Sequence, residues 1–314
     1  MGVSRKAEEW TKKRSWLDRV YATSPEVVDR SRVNSTFQQL PSFFVIGPPR
    51  TGTTWLYEVL KDYAALPSPT KETRFFDRHF HRGLDWYRSH YPQADDGKRM
   101  GEIAPTYFAS TEAAERIARV VPHSKVVCVF RDPVQRALSL YRLKRAYGMI
   151  PWTFEQAMVS DAEIRESSRY ATRLKEWQSI LGKEQVLVTF FEELCEHPQT
   201  YLDKVVDFIG VPRFSLSASQ GLRIHASETM THPRSYHRTR GATTMADWFK
   251  ARRLDRFVAA VRNSPLRKLF LGGGPAFSDV PKETIQHLYH IFRPEIEELE
   301  AMMNRDLSAW KSSC

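Results

Sequence analysis

A short turn between an apolar strand and a helix constrains this chain more than any other feature. The apolar run Phe43–Ile46 is typical of a strand buried on both faces, and Thr53–Tyr63 has the pattern of a helix. The turn between them is Gly-Pro-Pro-Arg-Thr-Gly, and two threonines follow it. Successive backbone N–H groups at such a helix start converge on an anion, and the helix dipole assists them. The segment therefore predicts a phosphate-binding turn.

The residue types in the turn indicate what it binds. Gly52 lets the backbone approach a phosphate closely, and Arg50 adds a fixed positive charge. Hydroxyl donors come from Thr51, Thr53 and Thr54. The glycine spacing resembles the P-loop G-x-x-x-x-G-K-[ST], but a threonine stands in the place of the lysine. Without that lysine, and without an aspartate ending the next strand, Mg²⁺-dependent hydrolysis of ATP or GTP lacks its usual groups. An ordinary strand–turn–helix with a threonine N-cap is the alternative.

A second strand end bears on the same ligand. The apolar run Lys125–Phe130 leads through Arg131 into a helix from about Val134 to Tyr147, and Ser139 lies about two helical turns beyond that arginine. Ligands of open α/β sheets bind at the carboxyl ends of the strands. An arginine at a strand end and a serine on the next helix can therefore bind a second phosphate together.

The alternation of strands and helices predicts the fold class. A third apolar run, 185–191, follows a helix that ends near Leu181, and Pro198–Ile209 forms another helical pattern. Such βαβ units predict an α/β protein, a three-layer P-loop-like fold with a central, mostly parallel sheet flanked by helices. Residues 1–40 are expected to form an N-terminal helical extension that packs on a single domain of residues 41–314.

The remainder of the chain divides into a long irregular stretch and two helices. The basic, Ser/Thr/His-rich segment Ser215–Ala246 is long enough to predict a functional loop or lid. Helical patterns follow at Met245–Arg262 and Lys282–Asn304.

Charge and cysteine content limit the possible partners and location. The formal charge of +10 indicates an anionic ligand, but it does not distinguish a nucleotide from a nucleic acid or an acidic polysaccharide. No nucleic-acid partner is expected, because the basic residues are dispersed and no nucleic-acid-binding signature is present. Three scattered cysteines, an N-terminus without an apolar core and the absence of a long apolar run predict a cytoplasmic protein without a transmembrane segment.

Together the two phosphate-binding elements resemble those of sulfotransferases that use 3′-phosphoadenosine-5′-phosphosulfate (PAPS). Segments 71–77, 83–87 and 102–108 are similar to the glycosaminoglycan (heparan sulfate) branch, and 293–307 is similar to bacterial members. The resemblance implies transfer of a sulfuryl group from PAPS to a hydroxyl or amine, without a metal. A carbohydrate, a lipid or a small molecule such as a phenol would be the acceptor.

The resemblance also implies residue roles at the donor site. Arg50 stands in the place of the family's catalytic lysine or arginine, which stabilises charge on the bridging oxygen as the S–O bond breaks. Trp55 is expected near the adenine. The basic segment 238–241 before Asp247 resembles a loop that serves the 3′-phosphate in cytosolic members. The residues expected to bind the donor are Arg50, Thr51, Gly52, Thr53, Thr54, Trp55, Arg131, Ser139, Tyr170, Arg238, Arg240 and Gly241. A core aromatic is the alternative for Tyr170, and a solvated loop is the alternative for 238–241.

On the acceptor side, Glu72 is the candidate general base, since an attacking alcohol must lose its proton. The alternatives are a Glu72 that is solvated or held in an ion pair between Lys71 and Arg74, and one of the histidines His79, His81 and His90 as the base. Acceptor contacts are expected at Arg74, Asp77, Trp86 and Tyr107.

Two departures from the glycosaminoglycan branch argue against a heparan-like acceptor. Ile103 stands where those enzymes carry a lysine, and Glu-Thr-Met-Thr-His-Pro at 228–233 replaces a basic stretch. Two other functions remain as alternatives, a P-loop kinase-like phosphotransferase and a non-enzymatic polyanion-binding protein.

Overall fold

A four-stranded parallel sheet forms the centre of the computed structural model. Its strands are β1 (Phe43–Val45), β2 (Gly101–Ile103), β3 (Lys125–Phe130) and β4 (Val186–Phe190), in the order β2-β1-β3-β4. The structure describes residues 40–91, 97–217, 231–252 and 273–311, with isolated positions at 220, 254, 258, 260 and 261. A parallel sheet of this kind confirms the predicted fold class.

Helices connect the strands and follow them. They are α1 (Thr53–Leu60), α2 (Gly83–Arg88), α3 (Thr111–Val120), α4 (Pro133–Ala146), α5 (Phe154–Ser160), α6 (Ala162–Glu166), α7 (Tyr170–Leu181), α8 (Phe191–Glu196), α9 (Pro198–Ile209), α10 (Tyr236–Ala251) and α11 (Lys282–Met303). A π-helical turn spans Phe75–His79, and β5 (Thr231–Pro233) pairs with β6 (Gly273–Ala276) in an antiparallel ribbon. In the described residues, no helix is long and apolar enough to cross a membrane.

The sheet buries both of its faces because successive side chains of a strand point in opposite directions. Phe44 of β1 packs in a core that also contains residues of α3, α7 and α11. Its neighbours Phe43 and Val45 pack on the opposite side, in a core with residues of α1 and α9. All three side chains are fully buried. This placement explains the continuous apolar run that predicted β1.

The predicted bounds of a helix are most accurate where both the hydrophobic periodicity and a capping residue indicate the same end. Helix α9 has the predicted bounds, and Gly210 follows it in the left-handed conformation. The predicted loop Ser215–Ala246 is wrong over 236–246, because α10 begins at Tyr236 rather than at Met245. The predicted helical extension at 1–40 falls almost wholly outside the described residues, as do 221–230 of the predicted loop.

Candidate active site

The turn after β1 is tightly constrained by its neighbours. A Cβ atom on Gly47 would lie 2.4 Å from the backbone nitrogen of Val129 in β3, so only glycine fits there. Gly52 has a φ of 89° and forms the N-cap of α1. Between them Arg50 has a φ of 79°, which is unusual for a residue with a side chain and typical of functional sites. The turn therefore holds Arg50 in a strained conformation at the carboxyl end of β1.

The side chain of Arg50 is held by a serine of helix α4. Its Nε donates to Oγ of Ser139 in α4 at 2.9 Å. Burial and the nearby Arg131 lower the pKa of Arg50, while Tyr147 opposes the change. In the part of the chain that the structure describes, Arg50 makes no ion pair with a carboxylate. A partly buried guanidinium beside a second arginine is the environment that an anionic ligand would stabilise.

Arg131, which follows β3, also contacts the turn. Its guanidinium packs on the ring of Phe191, 4.8 Å from the centroid, and Nη1 donates to the Arg50 carbonyl at 3.5 Å. The structure thus brings together Arg50, Arg131 and Ser139 at adjoining strand ends, as the sequence predicts. Tyr147 also acts on the pKa of Arg50. Its involvement could not be predicted from the sequence, because a tyrosine at the end of a helix carries no distinctive signal.

The side chain of Tyr170 packs in the core next to Arg131. It is buried, its ring stacks on Phe130 at 4.5 Å between centroids, and its hydroxyl donates to the Arg131 carbonyl at 2.9 Å. This environment fits the core-aromatic alternative, and contact of Tyr170 with the nucleotide stays a prediction.

The threonines of the turn divide between structural and exposed positions. Thr51 is fully buried, and its hydroxyl donates to the Pro48 carbonyl at 2.8 Å, so that hydroxyl is not free to donate to a ligand. Thr53 is also buried, whereas Thr54 is exposed in the first turn of α1, where no side chain caps the helix. Trp55 is 6% exposed, and its Nε1 donates to the Gln220 carbonyl at 2.8 Å. Thr54 and the backbone N–H groups are thus the available donors.

The candidate base lies on the segment that follows α1. Glu72 is 29% exposed, and its carboxylate is 3.5 Å from Nζ of Lys71. The next residue, Thr73, is buried and donates to Glu102 of β2 from both its backbone N–H and its hydroxyl, at 2.8 and 2.7 Å. The hydrogen bonds of Thr73 to Glu102 therefore fix the backbone next to Glu72.

Glu102 is the centre of a buried hydrogen-bond cluster, which no sequence motif indicates. Its carboxylate also accepts from the hydroxyls of Tyr87 and Tyr107, at 2.7 and 3.2 Å. Burial raises the pKa of Glu102 to about 7, although its hydrogen bonds with Thr73, Tyr87 and Tyr107 act to lower it. The pKa of the Tyr107 phenol is raised as well, by burial and by the charge of Glu102.

This cluster corrects one predicted acceptor contact. Tyr107 is fully buried, so it has no surface with which to touch an acceptor. Arg74 pairs with Asp77 at 3.3 Å, and both remain partly exposed near the cluster. Trp86 is half-buried between the ring of His90 and the guanidinium of Arg82, at 4.4 and 5.0 Å. Those three residues keep surface for an acceptor.

The predicted 3′-phosphate loop is part of a helix. Arg238, Arg240 and Gly241 lie in α10 and are exposed. A glycine inside a helix costs about 1 kcal/mol relative to alanine. Tertiary contacts offset that cost, since Thr239 is buried and Thr243 donates to the Tyr147 carbonyl at 2.8 Å. The contact attaches the middle of α10 to Tyr147, which also acts on the pKa of Arg50.

Comparison with known proteins identifies the family. Residues 40–242 match the family model of the sulfotransferase domain. The chain belongs to the sulfotransferase family. The match confirms the resemblance on which the sequence analysis relied, and it argues against the kinase alternative.

Two human relatives represent the similar curated proteins. Heparan sulfate glucosamine 3-O-sulfotransferase 3B1 is 31% identical over 70% of this chain, and bifunctional heparan sulfate N-deacetylase/N-sulfotransferase 3 is 32% identical over 58%. The sulfotransferase chain spans 62% and 24% of the lengths of these relatives. Among solved structures, a sulfotransferase from Alicyclobacillus acidocaldarius has a TM-score of 0.61 at 21% identity, covering 87% of this chain and 99% of its own. That likeness establishes a shared fold.

Proposed function

We propose that this sulfotransferase transfers a sulfuryl group from PAPS to a hydroxyl or amine of an acceptor. The observation that carries the proposal is the cluster of Arg50, Arg131 and Ser139 around the uncapped start of α1. Two guanidiniums beside free helix N–H groups fit a ligand with several phosphate-type charges and no metal bridge. Bound there, PAPS would supply an activated sulfuryl group.

The side chains of the site support in-line transfer. Glu72 accepts the acceptor's proton as the acceptor oxygen or nitrogen bonds to sulfur. Arg50 stabilises the electron pair that the breaking S–O bond leaves on the 5′-phosphate oxygen. Arg131 and Ser139 hold the nucleotide, and the exposed Arg238 and Arg240 of α10 supply charge for the 3′-phosphate. The products are the sulfated acceptor and adenosine 3′,5′-bisphosphate.

A carbohydrate is the first acceptor class to test, because the names of the similar human proteins specify glucosamine and heparan sulfate. Those names include both O- and N-sulfotransferases, so the carbohydrates to be tested as acceptors should carry both hydroxyl and amine groups. Trp86 is half-buried, and its exposed part is an aromatic surface that a sugar ring can contact. Lipid and phenol acceptors complete the panel, and a cytoplasmic location remains a prediction from the sequence.

Calorimetry with adenosine 3′,5′-bisphosphate in EDTA tests the donor site. The wild-type chain is expected to bind this nucleotide without Mg²⁺, and Arg131→Ala is expected to weaken binding about tenfold or more, the value of a lost charge-assisted hydrogen bond. Binding of ATP·Mg²⁺ in preference to adenosine 3′,5′-bisphosphate would refute the proposal. Mass spectrometry of reactions with labelled PAPS then identifies the acceptor.

A further inference from the structure

A short 3₁₀ turn that follows α11, Ser308–Trp310, contacts the start of α8 beside Arg131. Trp310 is 5% exposed, and its Nε1 donates to the carboxylate of Glu192 at 3.2 Å. The same carboxylate oxygen accepts from the backbone N–H of Asp132 at 3.4 Å. Asp132 directly follows Arg131 in the chain, so the turn holds a carboxylate close to an arginine of the donor site.

Glu192 and Arg131 influence each other without forming an ion pair. Phe191, which precedes Glu192, packs its ring on the Arg131 guanidinium, 4.8 Å from the centroid. Burial raises the pKa of Glu192, while its hydrogen bonds with backbone N–H groups and Trp310, and the charge of Arg131, act to lower it. In the part of the chain that the structure describes, Arg131 makes no ion pair with a carboxylate. A phosphate can therefore bind this guanidinium without displacing one.

We propose that Trp310 is a positioning residue of the donor site, which keeps the Glu192 carboxylate from pairing with Arg131. The inference rests on the proposed function, in which Arg131 holds the nucleotide. Opposite charges attract strongly where water is largely excluded, so a carboxylate that turned toward Arg131 would compete with phosphate for it. The indole N–H and the backbone N–H of Asp132 satisfy the carboxylate in its present position.

The segment that carries Trp310 is fixed to the end of β4 by further contacts. The indole ring lies 5.7 Å from the ring of Phe190, between centroids. The guanidinium of Arg305 lies 3.9 Å from the centroid of the same phenylalanine and also pairs with Glu193 in α8. Residues 305–310 thus act on the donor site although they lie beyond 40–242, the part of the chain that matches the family model.

Trp310→Phe removes the indole donor and keeps an aromatic ring. Calorimetry is expected to give an affinity for adenosine 3′,5′-bisphosphate about tenfold weaker than that of the wild type, because the released Glu192 carboxylate pairs with Arg131. Adding Glu192→Gln removes the competing charge, so the double variant is expected to bind within about threefold of the wild type. In an Arg131→Ala background, Trp310→Phe is expected to change the affinity less than about twofold, since no guanidinium is left to capture.

Two further variants separate this role from a general effect on folding. Glu192→Gln alone keeps the indole and is expected to bind the nucleotide at least as tightly as the wild type. The control Trp177→Phe removes another buried indole donor, which bonds the Phe108 carbonyl at 3.0 Å. It is expected to lower the urea midpoint through lost packing and to leave the nucleotide affinity unchanged.

A purely structural role for Trp310 predicts a different pattern, because lost packing weakens binding whether or not Glu192 is charged. The inference is overturned by wild-type affinity in Trp310→Phe, by absence of rescue in the double variant, or by equal weakening in the Arg131→Ala background. About tenfold weaker binding by Glu192→Gln alone also overturns it, since the carboxylate would then assist the nucleotide site. Failure of the wild type to bind adenosine 3′,5′-bisphosphate would instead refute the proposed function.

Discussion

The buried carboxyl group of Glu102 makes the stability of this protein depend on pH. Burial raises its pKa to about 7, compared with about 4.5 for an unperturbed glutamate. Between those values the folded protein binds more protons than the unfolded chain, so the free energy of unfolding decreases as pH rises. The contribution of Glu102 is fully present below pH 4.5 and is lost as pH rises through 7. At 1.36 kcal/mol per pKa unit, the loss is about 3 kcal/mol.

Glu102→Gln removes the titration and keeps the shape of the side chain. The glutamine carbonyl can still accept from the backbone N–H and hydroxyl of Thr73, and its NH₂ group can donate to the phenol oxygens of Tyr87 and Tyr107. The variant therefore resembles the protonated, uncharged form of the wild type. We expect its stability relative to the wild type to be about 3 kcal/mol more favourable at pH 8 than at pH 4.5.

Urea unfolding at pH 4.5, 6, 7 and 8 measures this difference directly. Other carboxylates titrate equally in both proteins, so they cancel in the comparison. The control Glu297→Gln changes a glutamate that is 53% exposed and paired with Arg293, and its effect is expected to stay within about 0.5 kcal/mol at every pH. If the stability difference between Glu102→Gln and the wild type is the same at all four values, the reasoning about the buried carboxyl is wrong.

Three further substitutions test the turn and the base. Arg50→Ala is expected to lower kcat about 100-fold with an unchanged urea midpoint, and a variant of normal turnover would contradict the charge-stabilising role. Glu72→Gln is expected to lower kcat about 100-fold while leaving the calorimetric affinity for adenosine 3′,5′-bisphosphate unchanged; sulfation at the parent rate would exclude Glu72 as the base. Gly47→Ala is expected to cost about 3 kcal/mol in urea unfolding, because the new methyl group meets the backbone of Val129, and a cost below about 0.5 kcal/mol would contradict that close contact.

The proposed donor half of the site could be predicted from short stretches of consecutive residues. The turn, its glycines and the start of α1 lie within ten consecutive residues. A phosphate-binding turn could therefore be predicted from the order of the residues alone. Arg131 and Ser139 were predictable for the same reason, since a strand end and the next helix fix their spacing. The contact between Ser139 and Arg50 follows only because β1 and β3 are adjacent in the sheet.

The acceptor half was less predictable because its contacts join residues that are distant in sequence. The anchoring of Thr73 by Glu102 spans 29 positions, and β2 is only three residues long. A glutamate in the middle of a short strand gives no periodic signal and resembles an exposed polar residue. Burial of Tyr107 could not be inferred either, since an aromatic residue suits both a core and a binding surface.

The donor and acceptor halves of the proposed site are held in place by different contacts, and this affects which substitutions can change the acceptor. The donor side is fixed by sheet neighbours: Gly47 touches β3, and Arg50 is held from α4, so substitutions there disturb the fold or the nucleotide. The segment that carries Glu72 rests on Glu102 through Thr73, and its partly exposed Arg74 and Trp86 lie outside that anchor. Changes at these exposed positions can alter the proposed acceptor surface while the candidate base and the turn after β1 stay in place. Acceptor specificity is therefore expected to reside in residues 74–90, and donor specificity in the turn.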